Sequence, residues 1–144
     1  MINADAVREL ITAAKHLDQK GIVNAIEGNI SLRRDGLIYV TPSGKNKAFL
    51  TEDMIAVVDE NGNQLAGTCR PTSELKMHLQ VYQMRKDVNG IVHAHPACLA
   101  AHAVCGLPVR TKAYAELMTA YGSFEVAPYG RPCFPSMKKI RKNL

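Results

Sequence analysis

The four cysteines, Cys69, Cys98, Cys105 and Cys133, form no C-x-x-C pair and no zinc-ribbon spacing. No cysteine-motif metal or redox centre is signalled, and reduced thiols of a cytoplasm are the expectation. No apolar run reaches membrane-spanning length, and Met1-Ile2-Asn3-Ala4-Asp5 begins no signal-peptide pattern, which points to a soluble cytoplasmic protein without a membrane partner. Internal repeats and low-complexity linkers are also missing, so residues 1–144 read as a single domain with a real hydrophobic core. Nucleic-acid motifs are absent. Lys138, Lys139, Arg141 and Lys142 crowd the last residues with no aromatic interleaving, as a solvated terminal helix does, and no nucleic-acid partner is expected. What is present is ordinary globular composition, 47% hydrophobic and 22% charged, with a net charge of +5 that would suit an anionic small substrate without showing one.

Periodicity orders the rest. Asp5 can cap a helix in which Val7, Leu10, Ile11, Ala14 and Leu17 recur at helical spacing up to Gly21. Ile30-Ser31-Leu32 alternates, and Asp35-Gly36 is a hairpin signal into Leu37-Ile38-Tyr39-Val40. Thr51-Glu52-Asp53-Met54 predicts a short capped turn before a strand over Ile55-Ala56-Val57-Val58. Asn61-Gly62 predicts a second hairpin, with its return strand around Gln64-Leu65-Ala66. Pro71-Thr72-Ser73 opens a second helix whose Leu75, His78, Leu79 and Tyr82 share a face. Asp87 to Gly90 turns the chain into a strand that Pro96 ends, and helices follow through about Val104 and over Ala115 to Thr119. Phe124-Glu125-Val126 reads as a further strand. Helices mixed with hairpin-linked strands predict an α+β or α/β/α layered domain with a largely antiparallel sheet.

Chemistry concentrates in Gly90-Ile91-Val92-His93-Ala94-His95-Pro96. On a strand, residues i and i+2 share a face, so His93 and His95 can reach one metal; the bland alternative is two core-edge histidines satisfied by hydrogen bonds. Glu74, on the helix that feeds this strand through one short turn, is a candidate ligand, general base or both, or else a carboxylate placed to suit the helix dipole. His78 lies one turn from Glu74 on the apolar face, where a structural role is expected. His16 and His102 are expected to be structural or surface residues. Gly28-Asn29, Ser43-Gly44 and Thr72-Ser73 are each ordinary turns or caps alone. Together they offer the neutral donors and close approach that a phosphate needs.

Five segments in register, Glu27-Gly28-Asn29-Ile30-Ser31, Thr41-Pro42-Ser43-Gly44, Thr72-Ser73-Glu74, His93-Ala94-His95-Pro96 and Ala127-Pro128-Tyr129, resemble the class II aldolase/adducin superfamily, closest to its fuculose-phosphate aldolase branch. The resemblance implies a three-layer α/β/α domain and one zinc ion (Zn2+) per subunit held by Glu74, His93 and His95. Glu74 would double as the acid/base. It also implies a phosphate pocket at Asn29, Ser43, Gly44, Thr72 and Ser73, and a catalytic Tyr114 reaching a neighbouring subunit of a homotetramer. The reaction so implied is cleavage of a ketose 1-phosphate to dihydroxyacetone phosphate and an aldehyde. A pentulose-phosphate 4-epimerase and a non-catalytic adducin-like module are the alternatives.

Members of the superfamily carry a third zinc-binding histidine further along, whereas the last histidine here is His102. The expectation is a domain incomplete at its C-terminus, with weakened zinc binding and low or no aldolase activity.

Overall fold

The computed structural model describes residues 2–110, 115–120 and 122–128. These divide into two compact units, one up to Ala94 and one from His95 onward.

The first unit is built around a fully antiparallel sheet of five strands: β1 (Asn29–Arg34), β2 (Leu37–Val40), β3 (Ala56–Val58), β4 (Gln64–Ala66) and β5 (Gly90–His93), in the order β4-β3-β2-β1-β5. Strand alternation divides its side chains between two helices. Ile30, Leu32, Tyr39 and Val57 point to α1 (Ala4–Gln19), whose Ala6, Val7, Leu10, Ile11 and Ala14 form the matching apolar stripe. Ile38 and Val58 point the other way, to α2 (Leu75–Met84), where they meet Tyr82, Leu75 and Leu79. The α/β/α layering is therefore present within this unit. Each buried Leu or Ile contributes about 1.5–3 kcal/mol.

Local signals account for most boundaries, and three differ from expectation. Asn3, not Asp5, caps α1, its side chain accepting from the Asp5 and Ala6 amides at 3.0 and 3.1 Å. Helix α2 begins at Leu75 because the Thr72 carbonyl and hydroxyl take up the Leu75 and Glu74 amides, turning Thr72-Ser73 into a lead-in rather than a first helical turn. The Asp35-Gly36 hairpin forms as read, with φ of 53° and 75°. The β3–β4 connection is longer than a two-residue turn: the Asp59 carboxylate gathers the Asn61 and Asn63 amides and so closes a loop through Asn63.

Gly67 shows where glycine is required. Its φ is +95°, and a Cβ there would lie 2.2 Å from the Ile55 carbonyl oxygen. Gly67→Ala is expected to lower stability by more than about 1 kcal/mol, read as a fall in the urea midpoint, because both the dihedral and the backbone contact oppose it.

Arg33, on β1, reaches the end of α2. Its guanidinium donates to the carbonyls of Tyr82 (3.0 Å), Arg85 (3.4 Å), Lys86 (2.8 Å) and Val88 (2.6 Å) and lies 4.9 Å from the Tyr82 ring centroid. A planar cation with five donors can reach that many carbonyls at once, which a lysine cannot.

The second unit contains α3 (Ala97–Val104) and α4 (Ala115–Ala120). Gly106 (φ +66°) ends α3, with Leu107 N–H returning to the His102 carbonyl at 2.9 Å. Phe124 does not continue into the expected strand. Among the described residues it forms an isolated antiparallel bridge with Val109, beside the exposed Arg110–Glu125 pair. Among the described residues, no helix is long and apolar enough to cross a membrane.

Candidate active site

Backbone pairing gathers the small-polar segments at one end of the sheet. The Ser43 amide donates to the Arg70 carbonyl at 3.0 Å, and the Thr72 amide donates to the Thr41 carbonyl at 3.1 Å. Thr41 in turn accepts the Ile30 amide on its Oγ1 (3.1 Å) and donates its own amide to the Ile30 carbonyl (3.0 Å). Three stretches far apart in sequence are thus sewn together. Ser43, Gly44 and Ser73 are exposed there, and Gly44 takes a φ of +66° that favours glycine. Gly28 is needed for space as well as dihedral, since a Cβ would meet Val23 at 2.5 Å and the His93 carbonyl at 3.0 Å.

Asn29 and Thr72, two of the residues expected in the phosphate pocket, are both buried. The Thr72 hydroxyl accepts the Glu74 amide at 3.3 Å, which seats the half-buried Glu74 immediately before α2. The Asn29 side chain is turned inward. It stands opposite His93 across the β1–β5 ladder, its Nδ2 3.3 Å from His93 Nδ1, while its Oδ1 accepts from His78 Nε2 at 2.5 Å.

His78 takes the structural place expected of it on the apolar face of α2, within a row of polar groups that was not expected. It is 0% exposed, and its Nδ1 lies 2.7 Å from Ser31 Oγ, which is itself 2.7 Å from the Tyr82 hydroxyl. Burial pushes its pKa down to about 4, with the nearby His93 adding to the effect, so the ring is neutral at ordinary pH. The signal was in the sequence: Asn29 and Ser31 are i, i+2 on a strand, and His78 and Tyr82 are i, i+4 on a helix. Each pair therefore presents two polar groups on one face. Lys47 was also passed over. It is 1% exposed in a short 3-10 turn, and burial lowers its pKa while Asp18 and Glu27 pull it back up.

The regular strand ends at His93, so the shared-face argument does not extend to His95, which begins the second unit and is exposed. A carboxylate and two imidazoles are donor types that suit zinc. Among the described residues, however, no three His, Cys, Asp or Glu groups lie close enough together to hold a metal. Tyr114 and Tyr129 lie outside the described residues.

The family model for the class II aldolase and adducin N-terminal domain matches residues 8–144. The chain belongs to this family.

This class II aldolase-type chain is 46% identical over 78 residues to an L-fuculose phosphate aldolase of Methanococcus maripaludis, a match covering 54% of the chain and 42% of that protein. It is 39% identical over 93 residues to a methylthioribulose-1-phosphate dehydratase of Gluconacetobacter diazotrophicus, covering 64% of the chain and 45% of that protein. The matches thus take in less than half of these relatives' own lengths. Among solved structures, an L-fuculose 1-phosphate aldolase superposes with a TM-score of 0.86 at 31% identity, over 95% of this chain and 65% of the other. The corresponding aldolase of Thermus thermophilus gives 0.73 at 26% identity, over 89% and 66%. The class II aldolase fold expected from the motifs is the fold observed.

Proposed function

We propose that this chain serves a metal-dependent aldolase that cleaves a ketose 1-phosphate, of the L-fuculose 1-phosphate kind, into dihydroxyacetone phosphate and an aldehyde. The observation that carries this reading is the stitching of the Gly28-Asn29, Ser43-Gly44 and Thr72-Ser73 segments into one place, with Glu74 and His93 attached to it by backbone and ladder. The relatives named as fuculose-phosphate aldolases agree with it.

In this reading the exposed Ser43, Gly44 and Ser73 receive the substrate phosphate through hydroxyl and backbone N–H donors. Glu74, anchored by the Thr72 hydroxyl, moves the proton that converts the three-carbon enediolate to dihydroxyacetone phosphate. His93, His95 and Glu74 are the ligands this chain would contribute to a zinc ion, whose Lewis acidity would offset the negative charge of bond cleavage. Tyr114, reaching a neighbouring subunit of a homo-oligomer, would handle the proton on the departing aldehyde oxygen.

A coupled assay for dihydroxyacetone phosphate release tests the activity. Product analysis separates the rival that the dehydratase-named relatives favour, since neither dehydration nor epimerisation yields a three-carbon phosphate. For the metal, equilibrium dialysis with zinc is expected to show binding by the wild type that drops at least tenfold in His93→Ala. Equal retention by both proteins sinks the assignment.

A further inference from the structure

Among the described residues, every arginine but one is committed within the fold. Arg8, Arg34, Arg85 and Arg110 face carboxylates, and Arg33 donates to carbonyls at the end of α2. The exception is Arg70, whose side chain is exposed and has no hydrogen-bond or ion-pair partner among the described residues. Its backbone, by contrast, is fixed. Pro42 and Pro71 form an antiparallel bridge, flanked by the bonds from the Ser43 amide to the Arg70 carbonyl (3.0 Å) and from the Thr72 amide to the Thr41 carbonyl (3.1 Å). Ser43 therefore stands opposite Arg70, as Thr41 stands opposite Thr72. Residues opposite each other in an antiparallel pair project on the same face, with Cβ atoms about 4.5–5.5 Å apart. Thr41 and Thr72 are buried and their hydroxyls accept backbone amides, whereas Ser43 and Arg70 are exposed. Lys45, the residue after Gly44, is exposed as well, so two cationic residues border the Ser43-Gly44 loop.

We propose that Arg70 contacts the substrate phosphate and sets the preference of the site for a phosphorylated sugar over its uncharged counterpart. This rests on the reading of Ser43, Gly44 and Ser73 as the phosphate cradle, and it adds the fixed positive charge that those neutral donors lack. Hydroxyl and backbone donors orient a phosphate. A guanidinium adds a planar fork for two of its oxygens, through charge-assisted bonds about twice as strong as neutral ones. It also stays charged at every working pH, so its attraction for the dianion does not depend on a titration. Arg70 lies four residues before Glu74 on the lead-in to α2, and the Thr72 amide and hydroxyl hold that lead-in in place. The phosphate anchor and the proposed acid/base are thus carried by one short segment, which fixes how far from Glu74 a phosphate held there can sit.

The test is calorimetric titration of the full chain with inorganic phosphate near pH 7, at constant ionic strength. Arg70→Gln is expected to weaken binding about tenfold or more, the worth of a hydrogen bond to a charged group. Lys15→Gln, which removes the same charge from the exposed side of α1, is expected to change it by less than about twofold, since solvent screens an exposed charge that makes no contact. The urea midpoint of Arg70→Gln should stay at that of the wild type, because the side chain gives up no partner among the described residues. No phosphate binding by the wild type, or unchanged binding in Arg70→Gln, overturns the proposal. An equal loss in both variants overturns it too, since net charge alone would then account for the effect. In the aldolase assay, Arg70→Gln is expected to raise KM for the phosphorylated ketose about tenfold while kcat stays within about threefold. Phosphate binding that depends on Arg70, in a protein that releases no dihydroxyacetone phosphate, retains this contact and rejects the proposed function. Release with an unchanged KM in Arg70→Gln does the reverse.

Discussion

Glu74→Gln is expected to slow hydrogen–deuterium exchange into dihydroxyacetone phosphate in D2O by about 10²–10⁴-fold, the usual contribution of a positioned general acid/base. The exchange isolates the proton transfer assigned to Glu74 from carbon–carbon bond cleavage. The substitution keeps shape and hydrogen-bonding reach while removing the ability to carry the proton. Its backbone anchors are independent of the carboxylate: the Glu74 amide is held by the Thr72 hydroxyl, and its carbonyl accepts the Met77 and His78 amides at 2.9 and 3.3 Å. The urea midpoint should therefore move little. Exchange within tenfold of wild type would remove Glu74 from the acid/base role and shift the search to other groups near the stitched loops.

Acid should weaken the fold through one histidine. Unfolded, the His78 imidazole takes up a proton at about 6.5; folded, burial holds its pKa down to about 4. Between those values the unfolded chain binds the extra proton, so stability rises with pH across the window. The contribution is fully present above pH 6.5 and is lost as pH falls toward 4, amounting to about 3 kcal/mol over the whole interval. Urea titrations at pH 7 and pH 4 on wild type and His78→Gln isolate it, because glutamine does not titrate. Wild type is expected to lose about 3 kcal/mol more than the variant on acidification. Identical pH slopes would show that His78 is protonated without penalty, as an accessible histidine would be.

The layers were legible in the sequence because α1 and the strands carry clean periodicities. The stripe Val7, Leu10, Ile11 and Ala14 and the alternation Ile30-Ser31-Leu32 each specify one buried face. Helix starts were less legible. Asn3 and Thr72 act through side-chain acceptance of specific amides, and in both segments several Ser, Thr, Asn or Asp residues compete for that role. The site divides in the same way. That Ser43 and Thr72 would be neighbours followed from motifs, but that Asn29 and Thr72 would spend their side chains inward did not. Nothing in a one-dimensional pattern says whether a polar group faces a ligand or a buried histidine. Among the described residues, the strand expected at Phe124 is an isolated bridge to Val109.

The place of β5 at the end of the sheet order has a further consequence. Among the described residues it is hydrogen-bonded to β1 alone, whereas β1 is flanked on both sides, by β2 and β5. Opening β5 therefore breaks one ladder and exposes little of the core around α1, while opening β1 breaks two ladders and the core with them. Among the described residues, Asn29 and Ser31 thus ride on a strand held by two ladders, and His93 on one held by a single ladder. Local opening of β5 is therefore expected to displace His93 before Asn29 and Ser31.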